Sequence, residues 1–195
     1  MFNSLAGLSV LSWAVLGVVS TAETERITIV RLCVTALNLV VGVLFIVRRP
    51  LVQSAGVGSV LICLPSFILS GLAFKLSPNP SAWPFVPETL FVIGTVLTIA
   101  SFVFLGRSFA VFPAIRGIVT RGPYQHVRHP AYLGEMLLVC ACYLANPRIT
   151  TCWIPLLIIP MVALRIQAEE KVLLENEKYR DYAQGVTWRL LPGIW

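Results

Sequence analysis

Residues 116–132 read RGIVTRGPYQHVRHPAY, the only long polar interval between apolar segments of this chain. The interval holds both histidines, His126 and His129, together with two glycines and two prolines. With Arg107 just upstream it carries four arginines. A second polar stretch, Arg165 to Arg189, supplies five of the nine acidic residues. Cationic and anionic stretches separated by apolar chain predict that the two fold onto each other at a membrane surface and hold a charged ligand.

What surrounds these stretches is apolar. The 195 residues are 57% hydrophobic and 12% charged, with a mean hydropathy of +0.82. A soluble domain carries about 25% charged residues, so the composition reads as an integral membrane protein. The net charge of +6 belongs to residues flanking apolar runs, which fits positive residues gathered on the cytoplasmic side rather than a nucleic-acid partner. All five cysteines lie inside apolar runs and read as small hydrophobes, neither metal ligands nor disulfides.

The apolar runs are Leu5 to Ser20, Ile27 to Val47, Val52 to Phe74 and Glu88 to Gly106. Their lengths suit membrane spans, the first of them by tilting or thinning the bilayer. The first run lacks a basic stretch before it and reads as a retained span rather than a signal peptide. Thr21 to Arg26 is expected as a polar turn. Trp83 and Phe85, among the prolines of Lys75 to Pro87, suit an interfacial belt. Ala131 to Leu144 and Ile149 to Leu164 are short for independent spans and read as a helical hairpin, its second arm bent by Pro155 and Pro160. Arg165 to Gln184 has the composition of one further helix. The predicted fold is therefore all-α, a polytopic bundle of about four long spans plus a C-terminal hairpin and a cytosolic capping helix. Arg48, Arg49, Arg107, Arg116, Arg121 and Arg128 fall on one side of that topology, which predicts a cytoplasmic polar core.

Within the core, Gly122-Pro123 is a turn signal. Pro130 holds His129 out of helical geometry and suits the first turn of a helix. Tyr124 and Tyr132 offer flat rings with hydroxyl tips, and the loop as a whole suits a nucleoside. The competing reading is an interfacial loop whose arginines and tyrosines meet lipid headgroups. Arg165 and Glu169, four residues apart, share a helix face. They read either as a surface ion pair or as a split function, with Arg165 on an anionic group and Glu169 on ribose hydroxyls or a cation. Glu170 points elsewhere, toward a loop arginine. Glu135 is a buried acid expected to pair with Arg128 or Arg165, and His126 is expected at the surface. Walker, G-x-S-x-G and H-E-x-x-H motifs are absent, so phosphate-loop, nucleophile-elbow and zinc-protease chemistries find no support.

The run Gly122-Pro-Tyr-x-x-Val-Arg-His-Pro-x-Tyr132-x-Gly134 resembles the signature of isoprenylcysteine carboxyl methyltransferases. So do Arg165-x-x-x-Glu169-Glu170, Tyr179-x-x-Tyr182 and the Arg189-Leu-Leu-Pro192 ending. Phospholipid methyltransferases share a similar pattern. The likeness covers roughly the C-terminal half. With the apolar runs giving N-terminal transmembrane helices over 1–106, it implies a methyltransferase core over 107–195. It further implies S-adenosylmethionine as cofactor, a cytosolic pocket closed by the C-terminal helix, and a lipophilic or prenylated acceptor entering from the bilayer.

Carried over residue by residue, the cofactor contacts implied are Arg116, Gly117, Ile118, Val119, Tyr124, His129, Pro130, Ala131, Tyr132 and Glu169. Arg165 matches the arginine that meets the substrate. The family often has a histidine where this chain has Arg116. A carboxylate acceptor needs no general base, whereas an amine or thiol acceptor would call on Glu170 or His129. A sterol-type membrane reductase and a non-catalytic membrane binding protein are the rival classes.

Overall fold

Thr28 ends the extended chain and caps the first long helix, its hydroxyl accepting from the amide of Arg31 at 3.3 Å. A computed structural model describes residues 5, 7–12, 14–16, 27–54 and 56–195. The elements from that cap onward are α1 (Ile29–Val47), β1 (Gln53–Ser54), α2 (Val57–Leu76), α3 (Phe85–Leu105), β2 (Ala114–Ile115), α4 (Pro130–Ala145), α5 (Trp153–Leu173) and α6 (Glu177–Gly185). Single 3-10 turns lie at Pro80–Ala82, Gly106–Ser108 and Gly122–Gln125. The turn expected at 21–26 and the end of the first apolar run at 17–20 lie outside the described residues.

Among the described residues, three segments are long and apolar enough to cross a membrane: Ile29–Val47, Val57–Leu76 and Phe85–Ser108. Their outward faces carry exposed apolar side chains such as Leu61, Ile68, Ile93, Val96 and Val103. Such a surface is stable only against lipid or another apolar surface. With hydrocarbon outside, burial of grease cannot by itself choose helix partners, so close backbone approach decides. α3 and α4 form the most extensive helix pair, crossing at Gly94 and Gly134. A Cβ on Gly134 would run into the Thr98 hydroxyl and sit 2.9 Å from the Gly94 carbonyl oxygen. Thr98 and Ser101, buried on α3, donate to their own helix carbonyls at 2.8 and 2.7 Å, so the crossing buries no unpaired hydroxyl from either residue. α1 also packs on α3, and α2 packs on α5. Val139, Ile154, Ile158, Val162 and Ile166 form the centre of the core between them.

Four expectations need correction. The arm expected to end at Leu164 and the helix expected to start at Arg165 are one continuous helix, α5, which carries Arg165, Glu169 and Glu170 on a rigid rod. That rod stops at Leu173, and α6 begins separately after Asn176, whose carbonyl accepts from Tyr179 and Arg180. Asparagine competes with the helix for backbone bonds and favours such breaks. Trp83 does not turn its ring outward as a belt residue would: it is buried against Phe91, with its indole N–H on the Pro78 carbonyl at 3.0 Å. Finally, residues 53–54 pair with 114–115 as an antiparallel bridge where the third span was expected to have begun.

Candidate functional site

His129 occupies the cap position of α4, with Pro130 as the first helical residue. Its amide donates to the Arg189 carbonyl at 2.9 Å, and the neighbouring Arg128 amide donates to the Trp188 carbonyl at 2.9 Å. The C-terminal segment is thereby strapped, backbone to backbone, over the start of α4. The proline keeps His129 out of helical geometry, so residues 128–129 stay outside α4 and their amides are free for this pairing.

α5 enters the same place from the other side. The Tyr132 hydroxyl donates to Glu169 Oε2 at 2.5 Å, and His129 Nδ1 lies 3.9 Å from the same oxygen. The His129 and Tyr132 rings stack with centroids 5.6 Å apart. Among the described residues, Glu169 Oε1 accepts no hydrogen bond. Tyr124 is buried, and its carbonyl accepts from the Tyr182 hydroxyl at 2.6 Å. Burial first, then the charge of Glu169 and the proximity of Tyr182, pushes the Tyr124 phenol well above its ordinary range, so it remains a hydrogen-bond donor. The two motifs thus share one cluster built from residues 37 to 58 positions apart in the chain.

Glu170, the next residue of α5, faces a different set. It meets His129 Nε2 at 3.2 Å, Arg128 Nε at 3.2 Å and Arg189 Nε at 2.7 Å, with the Tyr179 hydroxyl at 3.4 Å. Burial alone would raise its carboxyl. The hydrogen bonds from His129 and Arg189, with the charges of His129 and Arg128, outweigh burial and bring it down to about 2. A carboxylate held that low is a poor proton acceptor near neutral pH. That weighs against the expected role of Glu170 as a base for an amine or thiol acceptor. It ties the C-terminal segment to the loop before α4.

Arg165 also departs from expectation. The surface ion pair with Glu169 does not form. Arg165 Nη1 pairs with Glu135 Oε2 at 3.1 Å and bonds Ser66 Oγ at 3.1 Å, while Nη2 bonds the Val111 carbonyl at 3.2 Å. The guanidinium also lies over Tyr132, 4.6 Å from its centroid, which joins it to the cluster around Glu169. Its Nε has no hydrogen-bond partner among the described residues.

The other sequence-selected residues lie apart in their contacts. Arg116 donates to the Arg49 carbonyl, and a Cβ on Gly117 would meet the Ser108 hydroxyl at 2.6 Å. These engage the end of α1 and the turn after α3. Ile118 and Val119 follow them as half-buried loop residues. Pro130 is fully buried, Ala131 half-buried and His126 exposed. Sequence reading expected a loop arginine on Glu170, and Arg128 takes that place; it passed over Arg189 as a further partner of Glu170, and Ser66 and Ser70 as partners of the Arg165–Glu135 pair. Ser66-x-x-x-Ser70 is a one-turn polar spacing inside an apolar span, and that was the available signal.

The profile of the phospholipid methyltransferase family matches residues 84–181. A search of curated proteins finds no match. Among solved structures, the fold is similar to that of a eukaryotic intramembrane Ras methyltransferase, an isoprenylcysteine carboxyl methyltransferase, with a TM-score of 0.54 at 18% identity. The likeness covers 84% of this chain and 66% of that one, so this chain spans about two thirds of that protein's length. At such identity the likeness speaks for the shared fold. The family match runs from the start of α3 to the middle of α6, taking in the loop, the hairpin and the polar end of α5, and on that match the chain belongs to the phospholipid methyltransferase family.

Proposed function

We propose that this membrane protein is an S-adenosylmethionine-dependent methyltransferase that modifies a lipophilic acceptor presented from the bilayer, with a prenylcysteine-like carboxylate as the favoured acceptor. The observation that carries the reading is the Tyr132–Glu169 hydrogen bond with His129 stacked beside it. It joins the two motifs into one cluster of acceptor oxygen and aromatic faces.

The residues present fit the cofactor. Glu169 has an oxygen uncommitted among the described residues, suited to ribose hydroxyls or to a cationic group. Tyr132, His129 and Tyr124 supply ring surfaces and a phenol that stays protonated. Bound here, the cofactor would supply a sulfonium methyl group, and its transfer to a carboxylate oxygen would balance with the C–S electron pair left on sulfur and no proton to remove. The chain's own residues then have to align two groups and exclude water. Arg165 is the residue for the acceptor, since its buried Nε is an unused donor beside the Tyr132 ring. The low pKa of Glu170 weighs against an amine acceptor that depends on this carboxylate for its deprotonation.

The arginines at the ends of α1 and α3 and in the loop before α4 favour a cytoplasmic site. The test is calorimetric titration of the purified protein in lipid nanodiscs with S-adenosylhomocysteine and, separately, with NADPH. Saturable binding of the first that weakens in Glu169→Gln is expected. Binding of NADPH instead points to reduction, and binding of neither removes the methyltransferase reading.

A further inference from the structure

Glu135 sits in the second turn of α4, inside an otherwise apolar helix, where an ionisable side chain is costly unless it serves something. Its Oε1 accepts from the Ser70 hydroxyl at 2.8 Å, and its Oε2 meets Arg165 Nη1 at 3.1 Å. Ser66, one turn before Ser70 on α2, accepts from the same Nη1. The guanidinium lies 4.0 Å from the Phe67 centroid and 4.6 Å from that of Tyr132. Two helices and the segment leading to β2 therefore grip one arginine, yet they grip it by its Nη atoms. The Nε side of the fork, which a carboxylate takes side-on, has no partner among the described residues.

Glu135, with its other oxygen held by Ser70, takes one end of the fork and leaves the Nε end open. We propose that Glu135 is a positioning residue for the acceptor: it turns the Arg165 Nε–H toward the incoming carboxylate and tempers the arginine's hold on that charge. The inference rests on the carboxylate reading above. Its chemical reason is that methylation erases the acceptor's charge. Whatever attraction Arg165 exerts on the carboxylate in the ground state is lost on the way to the transition state. An arginine without its counter-charge binds the substrate more tightly, transfers to it more slowly and releases the neutral ester more readily than the acid.

The experiment measures the affinities of the full chain in nanodiscs for N-acetyl-S-prenylcysteine and for its methyl ester, with S-adenosylhomocysteine present so that nothing turns over. The ratio of the two affinities is independent of the folded fraction. In Glu135→Gln, which keeps shape and hydrogen bonding, the preference for the acid is expected to rise about tenfold. With methyl donor supplied, KM for the acid and kcat are both expected to fall. Glu135→Asp draws the carboxylate back by one methylene and is expected to shift the ratio the same way, about threefold. It keeps the question answerable if the glutamine variant does not fold. A wild-type preference for the acid that neither variant moves overturns the proposal alone. A wild-type protein with no preference for the acid overturns the carboxylate reading and the proposal with it.

Discussion

Arg165 and Glu170 lie five positions apart on α5 and are both buried, at 5% and 3% exposure, yet they are built in opposite ways. Glu170 is saturated: two arginines, a histidine and a tyrosine converge on its two oxygens. Arg165 is held firmly at its Nη atoms and left unsatisfied at Nε. A saturated ion-pair hub has nothing left to offer a ligand and reads as a fastener. An unsaturated one, gripped from behind, reads as a hand. Glu169 sits between them in character as well as in sequence, with one oxygen on Tyr132 and the other uncommitted among the described residues. Both side chains are buried and charged, and they differ in that Glu170 has partners on both oxygens while Arg165 keeps its Nε without one among the described residues.

The contrast breaks first at Glu170. Glu170→Ala leaves four cationic or polar partners without their anion, and such a loss typically costs about 3–5 kcal/mol. A melting temperature close to wild type would mean that the C-terminal strap is held by backbone pairing alone. The same hub predicts an acid limb. Its folded pKa of about 2 lies below the ordinary 4.5, so its contribution is fully present above pH 4.5 and is lost as pH falls toward 2. The amount is about 3 kcal/mol. Acid unfolding followed by tryptophan fluorescence should flatten over that window in Glu170→Gln.

At the open end, Arg165→Lys keeps the charge and loses the planar fork. Activity on a carboxylate acceptor is expected to fall on the order of 100-fold, with the melting temperature changed less than in Glu170→Ala. Equal thermal damage in the two variants would erase the distinction drawn here. Next in size is Glu169→Gln, expected to weaken S-adenosylhomocysteine binding about tenfold while leaving stability nearly intact, since only Oε2 has a protein partner among the described residues. The smallest effect belongs to Tyr132→Phe. It removes one hydrogen bond, about 1 kcal/mol or fivefold in the same titration, and loses no ring surface. A loss as large as that of Glu169→Gln would mean that the tyrosine hydroxyl itself meets the ligand.

The sequence by itself determined that this is a helical membrane protein, because hydropathy and length are local sums that need no partner. It also singled out the candidate site residues, since Arg128 to Tyr132 and Arg165 to Glu170 are polar where the surroundings are apolar. What it did not determine was pairing. Arg165 and Glu169 share a face at i, i+4, and spacing alone favoured their ion pair. The tertiary structure instead gave Arg165 to Glu135 and Glu169 to Tyr132, because α4 crosses α3 at Gly94–Gly134 and brings its own polar side chains against α5. The bridge between residues 53–54 and 114–115 was equally invisible, being too short to leave a period. Periodicity records what a segment buries, and it is silent on which distant segment arrives to be buried against. For that reason the division of α5 into a fastener and an open hand belongs to the fold and not to the chain.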